Sequence, residues 1–165
     1  MLFRSIRDLD VNNLGNIDVI WASPPCTFFS RARSTGRAAD LESSDSLVRK
    51  TLDIAVELGT PPLFVENPWT GQLKSRGLLD ALKLRVVDYC TYGMPYRKRT
   101  AMWTNTAWQQ ARALCKHNCA SSRDGRWHLA RAQQGPPGPR FTQRELYRIH
   151  AELYDEIAEY CSRAQ

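Results

Sequence analysis

The feature that most constrains this chain is a pair of short apolar runs, each brought to a stop by proline. Ile17-Asp18-Val19-Ile20-Trp21-Ala22 ends at Ser23-Pro24-Pro25, and Pro62-Leu63-Phe64-Val65 ends at Glu66-Asn67-Pro68. β-Branched and aromatic residues favour extended backbone, whereas a proline pair ends any strand or helix. Between the runs, residues 41–58 space Leu47, Leu52, Ile54, Val56 and Leu58 among charges, which predicts a helix. Ser43, Ser44 or Asp45 is available as its N-cap and Gly59 as its stop. Strand, helix and strand within roughly fifty residues make a βαβ unit, hence a parallel sheet with a right-handed crossover.

Further along, residues 71–81 read as a helix and residues 84–90 as another strand. The turn-rich Tyr92-Gly93-Met94-Pro95 leads to a last strand over residues 100–104. Residues 107–139 change character, with Cys, His, Gly and Pro and little periodicity. Residues 142–160 predict an amphipathic helix, with Thr142 as N-cap and Leu146, Ile149, Leu153, Ile157 and Tyr160 on one face. The expected organisation is a core over residues 1–106, a loop-rich insertion over 107–140, and a C-terminal helix over 141–165 that packs on the core.

The 165 residues carry a formal net charge of +6, which makes nucleic acid a reasonable partner because phosphate neutralisation drives such binding. A modestly basic solvated surface accounts for the charge equally well. No apolar run approaches the length that crosses a bilayer, so no membrane is expected. The first ten residues lack the apolar core and cleavage site of a signal peptide. The expected location is therefore intracellular, in a bacterium, a phage-infected cell or a nucleus. In a reducing compartment Cys26, Cys90, Cys115, Cys119 and Cys161 are thiols, metal ligands or a nucleophile rather than disulfides.

Chemistry in open parallel sheets gathers at the carboxyl ends of strands, where Cys26 and Glu66 both fall. A Cys held by a rigid Pro-Pro turn is a candidate nucleophile, and the cations Arg31 and Arg33 nearby favour its thiolate. A carboxyl beside an amide and before a proline is placed to donate a proton from a partly dry pocket. Taken singly, a small buried Cys and a turn Glu are the commoner explanations.

Together, Ser23-Pro24-Pro25-Cys26, the helix and Phe64-Val65-Glu66-Asn67 resemble the central motifs of the cytosine-5 DNA methyltransferase family. That resemblance implies an α/β fold: an incomplete Rossmann-like class I methyltransferase sheet, mostly parallel, with flanking helices. It implies that Cys26 attacks C6 of a flipped-out cytosine in DNA while Glu66 contacts N3. A methyl group then passes from S-adenosylmethionine to C5. The segment Tyr92-Gly93-Met94-Pro95-Tyr96-Arg97-Lys98-Arg99-Thr100 is similar to the family's Tyr-Gly-Val-Pro-Gln-x-Arg-x-Arg. Tyr96 stands where the family has Gln, Lys98 at the first Arg and Thr100 at the second. By this resemblance Arg97 and Arg99 join the catalytic set, and Arg31, Arg33, Tyr96 and Lys98 face DNA. Asp8, Pro24 and Asn67 fall to the cofactor, with Ile6-Arg7-Asp8 as the segment whose acid approaches the adenine.

The resemblance spans roughly residues 6–105, within a divergent, phage-like branch. The family's Phe-x-Gly-x-Gly cofactor loop and its closing Gly-Asn-Ala/Ser-Val segment have no counterpart in the sequence. Three expectations follow: a truncated product, a chain completed by a second chain carrying the cofactor-binding half, or an inactive, DNA-binding remnant. Finally, Cys115-x-His117-x-Cys119, with His128 downstream and Cys90 upstream, can supply the ligands Cys90, Cys115, Cys119 and His128 for tetrahedral zinc, although the spacing is not that of a common finger. Unconnected polar loop residues are the plainer explanation.

Overall fold

A computed structural model describes residues 5–27, 29, 41–130 and 141–163. The chain is an α/β protein. Its main sheet has four strands, β1 (Ile20–Ala22), β2 (Leu63–Pro68), β3 (Lys83–Asp88) and β4 (Arg99–Thr104), in the order β1-β2-β4-β3. Helix α1 (Leu41–Glu57) lies between β1 and β2 in sequence, and those two strands pair in parallel, as a βαβ unit requires. A two-stranded antiparallel ribbon, β5 (Ser122–Arg123) with β6 (Trp127–His128), follows, then α2 (Gln143–Leu146) and α3 (Ala151–Arg163). No helix among the described residues is long and apolar enough to cross a membrane.

The chain divides into two compact units, one of residues 1–85 and 101–107, the other of residues 86–100 and 108–165. In the first, α1 buries Val48 and Ala55 against Leu63 and Val65 of β2, with Phe29, Leu73, Leu79, Ala101 and Trp103 completing the cluster. The apolar spacing of α1 explains this face, and its polar positions bind neighbours. Arg7 donates through Nη2 to the Ser43 carbonyl at 3.0 Å and to Ser46 Oγ at 2.8 Å, fixing the N-terminal segment to the first turns of the helix. Buried Asp45 accepts from Arg76, which ties the helix to the turn that follows Leu73–Ser75.

Several expectations change, among them the N-cap of α1, since Ser43, Ser44 and Asp45 lie inside the helix. Strand β1 begins at Ile20 rather than Ile17, because its ladder starts where Ile20 N–H reaches the Pro62 carbonyl at 2.8 Å. Strand β2 runs on through Glu66, Asn67 and Pro68, so Glu66 lies within the strand and not just beyond it. Residues 71–81 are not a helix. They make a single 3-10 turn, Leu73–Ser75, and Gly77 then takes a left-handed φ of +71° that a continuing helix would not allow. The leucines of this stretch still bury, through turns instead of a helical stripe.

The second unit is built on aromatic side chains. Tyr89, Tyr92, Tyr96 and Trp108 are buried with Leu153 and Ile157 of α3. The C-terminal helix is expected to be continuous from Thr142, but it is broken between α2 and α3. Thr142 does cap α2: its Oγ1 accepts from Glu145 N–H at 3.3 Å, while Glu145 Oε2 accepts from Thr142 N–H at 2.7 Å. The break falls where Lys98 Nζ donates to the Leu146 carbonyl at 3.1 Å, supplying a partner outside the helical ladder. Helix α3 then starts afresh beyond His150, whose Nδ1 accepts from Glu152 N–H.

Phe29, fully buried three residues after Cys26, anchors the proline turn to the core of the first unit. Phe29→Ala is expected to lower the unfolding free energy by about 3–5 kcal/mol, the cost of emptying an aromatic core position. Urea denaturation followed by tryptophan fluorescence measures this; a loss below about 1 kcal/mol would show that the turn is held some other way.

Candidate active site

In the register of β1 and β2, Ile20 faces Leu63, Trp21 faces Phe64 and Ala22 faces Val65. Two residues beyond the last of these pairs stand Pro24 and Asn67. There Asn67 Nδ2 donates to the Pro24 carbonyl at 3.0 Å, so a side chain continues the ladder where prolines cannot. Cys26 follows in a turn, half-buried, and its carbonyl accepts from Phe29 N–H at 3.1 Å. Phe29 in turn accepts from Gln72 N–H at 2.8 Å, and Gly71 N–H donates to the Pro68 carbonyl at 2.9 Å. The proline-cysteine turn and the chain leaving Glu66-Asn67-Pro68 are thus bonded to each other on both sides of Cys26.

Gly71 is required by this closeness. A Cβ there would lie 3.0 Å from both Asn67 Oδ1 and the Pro68 carbonyl oxygen. Asn67 is 1% exposed, and its Oδ1 has no hydrogen-bond partner among the described residues. Glu66 is 5% exposed, a carboxyl taken almost wholly out of water. Of the expected site residues in the first unit, Asn67 and Pro24 are in direct contact, Cys26 lies two residues after Pro24, and Glu66 precedes Asn67 in β2. Arg31 and Arg33 lie outside the described residues.

The same unit holds a cavity of about 500 Å³. Its walls include Ile6, Leu9, Val19, Leu47 and Ile54, and its lining reaches Ser23, Pro24 and Pro25, the residues that lead to Cys26. Asp8 is exposed and is not one of the lining residues, although Ile6 and Leu9 on either side of it are.

The basic segment belongs to the second unit, where its side chains have partners. Arg99 donates to both carboxylate oxygens of Asp88, at 2.9 and 2.7 Å, and Arg97 Nε approaches Oδ1 at 3.5 Å. Asp88 Oδ2 also accepts from Cys115 N–H at 2.9 Å. Burial pushes the Asp88 carboxyl up, but the Arg99 hydrogen bond, the charges of Arg97 and Arg99 and the Cys115 N–H outweigh it, holding the group below the usual carboxylate range. Tyr96 is 1% exposed, packs on Phe141 and donates to the Glu145 carbonyl at 3.3 Å. Lys98 lies over the Tyr89 ring at 4.8 Å besides holding Leu146. Tyr96 and Lys98, expected to face DNA, serve here in the packing of the second unit. Gly93 of the Tyr-Gly-Met-Pro turn is left-handed at φ +100°, and a Cβ there would meet His150 Nε2 at 3.0 Å.

Beside Asp88, the structure gathers Cys90, Cys115, Cys119 and His128, with their ligand atoms all within 4.8 Å of one another. Burial, then the neighbouring Cys115 and Cys119, push the Cys90 thiol well up. Burial acts in the same sense on Cys115, but the His117 N–H and the thiols of Cys119 and Cys90 reverse it. Burial, His117 and Arg97 lower His128, favouring the neutral imidazole.

Compared with known proteins, the chain is 34% identical over 163 residues to a probable DNA (cytosine-5)-methyltransferase of Frog virus 3 (isolate Goorha), covering 87% of this chain and 75% of that relative. It belongs to the DNA cytosine-5 methyltransferase family. No protein-family model matches it. In this member of the family, sequence patterns left Asp88 and Gly71 unnoticed. Asp88 ends an apolar strand ahead of Arg97 and Arg99, a charge reversal that was the available signal; Gly71 had none, because a close approach is a property of the folded chain.

Because the folded Asp88 carboxyl is more acidic than the unfolded one, its stabilising effect is complete above the usual carboxylate range and disappears as pH falls through the folded value. Asp88→Asn is expected to cost about 2–3 kcal/mol at pH 7, less than a fully buried pair because both guanidiniums are about a third exposed and rehydrate. Denaturation of both proteins from neutral to strongly acidic pH is expected to show the gap closing in acid. A gap independent of pH would contradict this role.

Proposed function

We propose that this chain methylates C5 of cytosine in DNA, with Cys26 as the nucleophile and Glu66 as the proton-holding group at the base. The observation that carries this reading is the Asn67–Pro24 hydrogen bond across parallel β1 and β2, which joins the Cys26 turn to the strand bearing buried Glu66. We read the βαβ unit as part of an incomplete Rossmann-like class I methyltransferase sheet, with DNA as the polyanion that matches the net charge of +6.

The chemistry follows from the two groups. The Cys26 thiolate adds to C6 of an unstacked cytosine, and the electron pair of the C5–C6 double bond moves into the ring. Glu66, in its protonated form, places its proton at N3 and so neutralises the ring as it accepts those electrons. C5 is then an enamine-type carbon nucleophile. After methylation, solvent takes the C5 proton, the freed electron pair re-forms the C5–C6 double bond and expels the Cys26 thiolate, and N3 returns its proton to Glu66.

S-adenosylmethionine supplies the electrophilic methyl group when bound. The residues present fit its aromatic part: a cavity of about 500 Å³ walled by Ile6, Leu9, Val19 and Ile54 suits an adenine ring in size and polarity. Pro24 would close the slot at the end nearest Cys26 in sequence, and Asn67 would set the position of Pro24. A second reading has its own observation. None of the lining residues is acidic and Asp8 is exposed, so the ribose finds no carboxylate among them. A second chain carrying that carboxylate would make this protein the base-binding subunit of a split enzyme.

The test is transfer of labelled methyl groups to DNA, with the product digested to nucleosides and identified by mass spectrometry. The expected product is 5-methylcytosine, abolished in Cys26→Ala, reduced about 10²–10⁴-fold in Glu66→Gln, and retained in Cys161→Ala. Methylation at an exocyclic amine, or full activity in Glu66→Gln, would contradict the mechanism. DNA binding without transfer would favour the split enzyme.

A further inference from the structure

We propose that Cys90, Cys115, Cys119 and His128 bind one structural zinc ion, which fastens residues 108–130 to the turn at the end of β3. Zinc at about 2.3 Å from sulfur and about 2.0 Å from nitrogen requires tetrahedral edges of about 3.8 Å between sulfurs and about 3.5 Å between sulfur and nitrogen. Cys115 Sγ and His128 Nε2 are 3.4 Å apart, and all four ligand atoms lie within 4.8 Å of one another. Small side-chain rotations close the remaining distances.

The backbone is arranged for a thiolate at Cys115. His117 N–H donates to Cys115 Sγ at 3.2 Å, and His117 takes a left-handed φ of +63° that wraps the chain between Cys115 and Cys119. Asp88 accepts from Cys115 N–H, orienting the ligand from behind. His117 stands between the two cysteines, but it is the expected His128 whose ring nitrogen lies with the three thiols. The His117 Nε2 lies 3.4 Å from Arg97 Nη1, and its ring stands 5.1 Å from that of His128. Three cysteines and a histidine fill all four positions, so the ion holds structure and leaves no open coordination site. The segment it serves has little regular structure of its own: among its described residues the only regular elements are the two-residue strands β5 and β6. Three thiols also leave one unpaired in any disulfide scheme, whereas zinc uses all of them.

The full chain, produced with zinc supplied and dialysed against metal-free buffer, is assayed by atomic emission. About one zinc per chain is expected. Cys119→Ser and His128→Asn are expected to lose it, whereas His117→Asn and Cys26→Ser keep it. Cobalt exchanged into the wild-type chain is expected to show intense tetrahedral d–d bands with thiolate charge transfer, a readout that needs no variant to fold. A wild-type chain without zinc, an octahedral cobalt spectrum, a native disulfide among these cysteines, or retention in His128→Asn with loss in His117→Asn would overturn the proposal.

Discussion

Two short parallel strands, one of three residues, set the position of everything in the first unit that bears on chemistry. β1 pairs with β2 from Ile20–Leu63 to Ala22–Val65, and proline prevents the backbone ladder from going further. Asn67 takes over with its side chain on the Pro24 carbonyl. A one-residue slip would turn every side chain of the strand to the opposite face, so the buried Leu63–Val65 face and the Asn67 contact specify the same register. Gly71 then allows the returning chain to close against Asn67 and Pro68, and Gln72 bonds to Phe29 on the far side of Cys26. Thiol, carboxyl and amide are positioned by packing that would persist without any substrate. Under the proposed mechanism, such preorganisation would let the nucleophile and the acid act together.

The second unit depends on a single buried carboxylate in a comparable way. Asp88 receives Arg99 in a two-bond fork, Arg97 at longer range and the backbone of Cys115. Its charge is therefore compensated, and the same contacts place Cys115 of the thiol–imidazole cluster. This accounts for a basic segment that resembles the family's arginine motif while its side chains hold the unit together. Arg99 and Arg97 meet Asp88, Lys98 meets the end of α2, and Tyr96 is core.

Helix α1 was legible because period and breaker agreed: apolar residues recur at helical spacing, and Gly59, left-handed at φ +78°, stands just past its end. Cys26 and Glu66 stand out as candidates because each follows an apolar, β-branched run and lies beside proline. The helix expected over residues 71–81 is replaced by turns, through which Leu73 and Leu79 bury without needing a helical stripe. The break between α2 and α3 has no local signal at all. It arises where Lys98, 48 residues away in sequence, takes the Leu146 carbonyl. Composition made the cysteine cluster and its histidine, His128, visible as candidates, but their convergence on one point is a property of the folded chain. Local pattern is read from sequence; partners supplied from a distance are not.

The central claim is that Cys26 bonds to cytosine, and covalent trapping tests it most directly. DNA carrying 5-fluorocytosine blocks the final loss of the C5 substituent, so the enzyme stays attached after methyl transfer. Incubated with S-adenosylmethionine and this DNA, the chain is expected to run as a protein–DNA adduct on a denaturing gel, with peptide mass spectrometry placing the modification on Cys26. An adduct mapped to any other cysteine, or methylated DNA released with no adduct formed, would contradict the account.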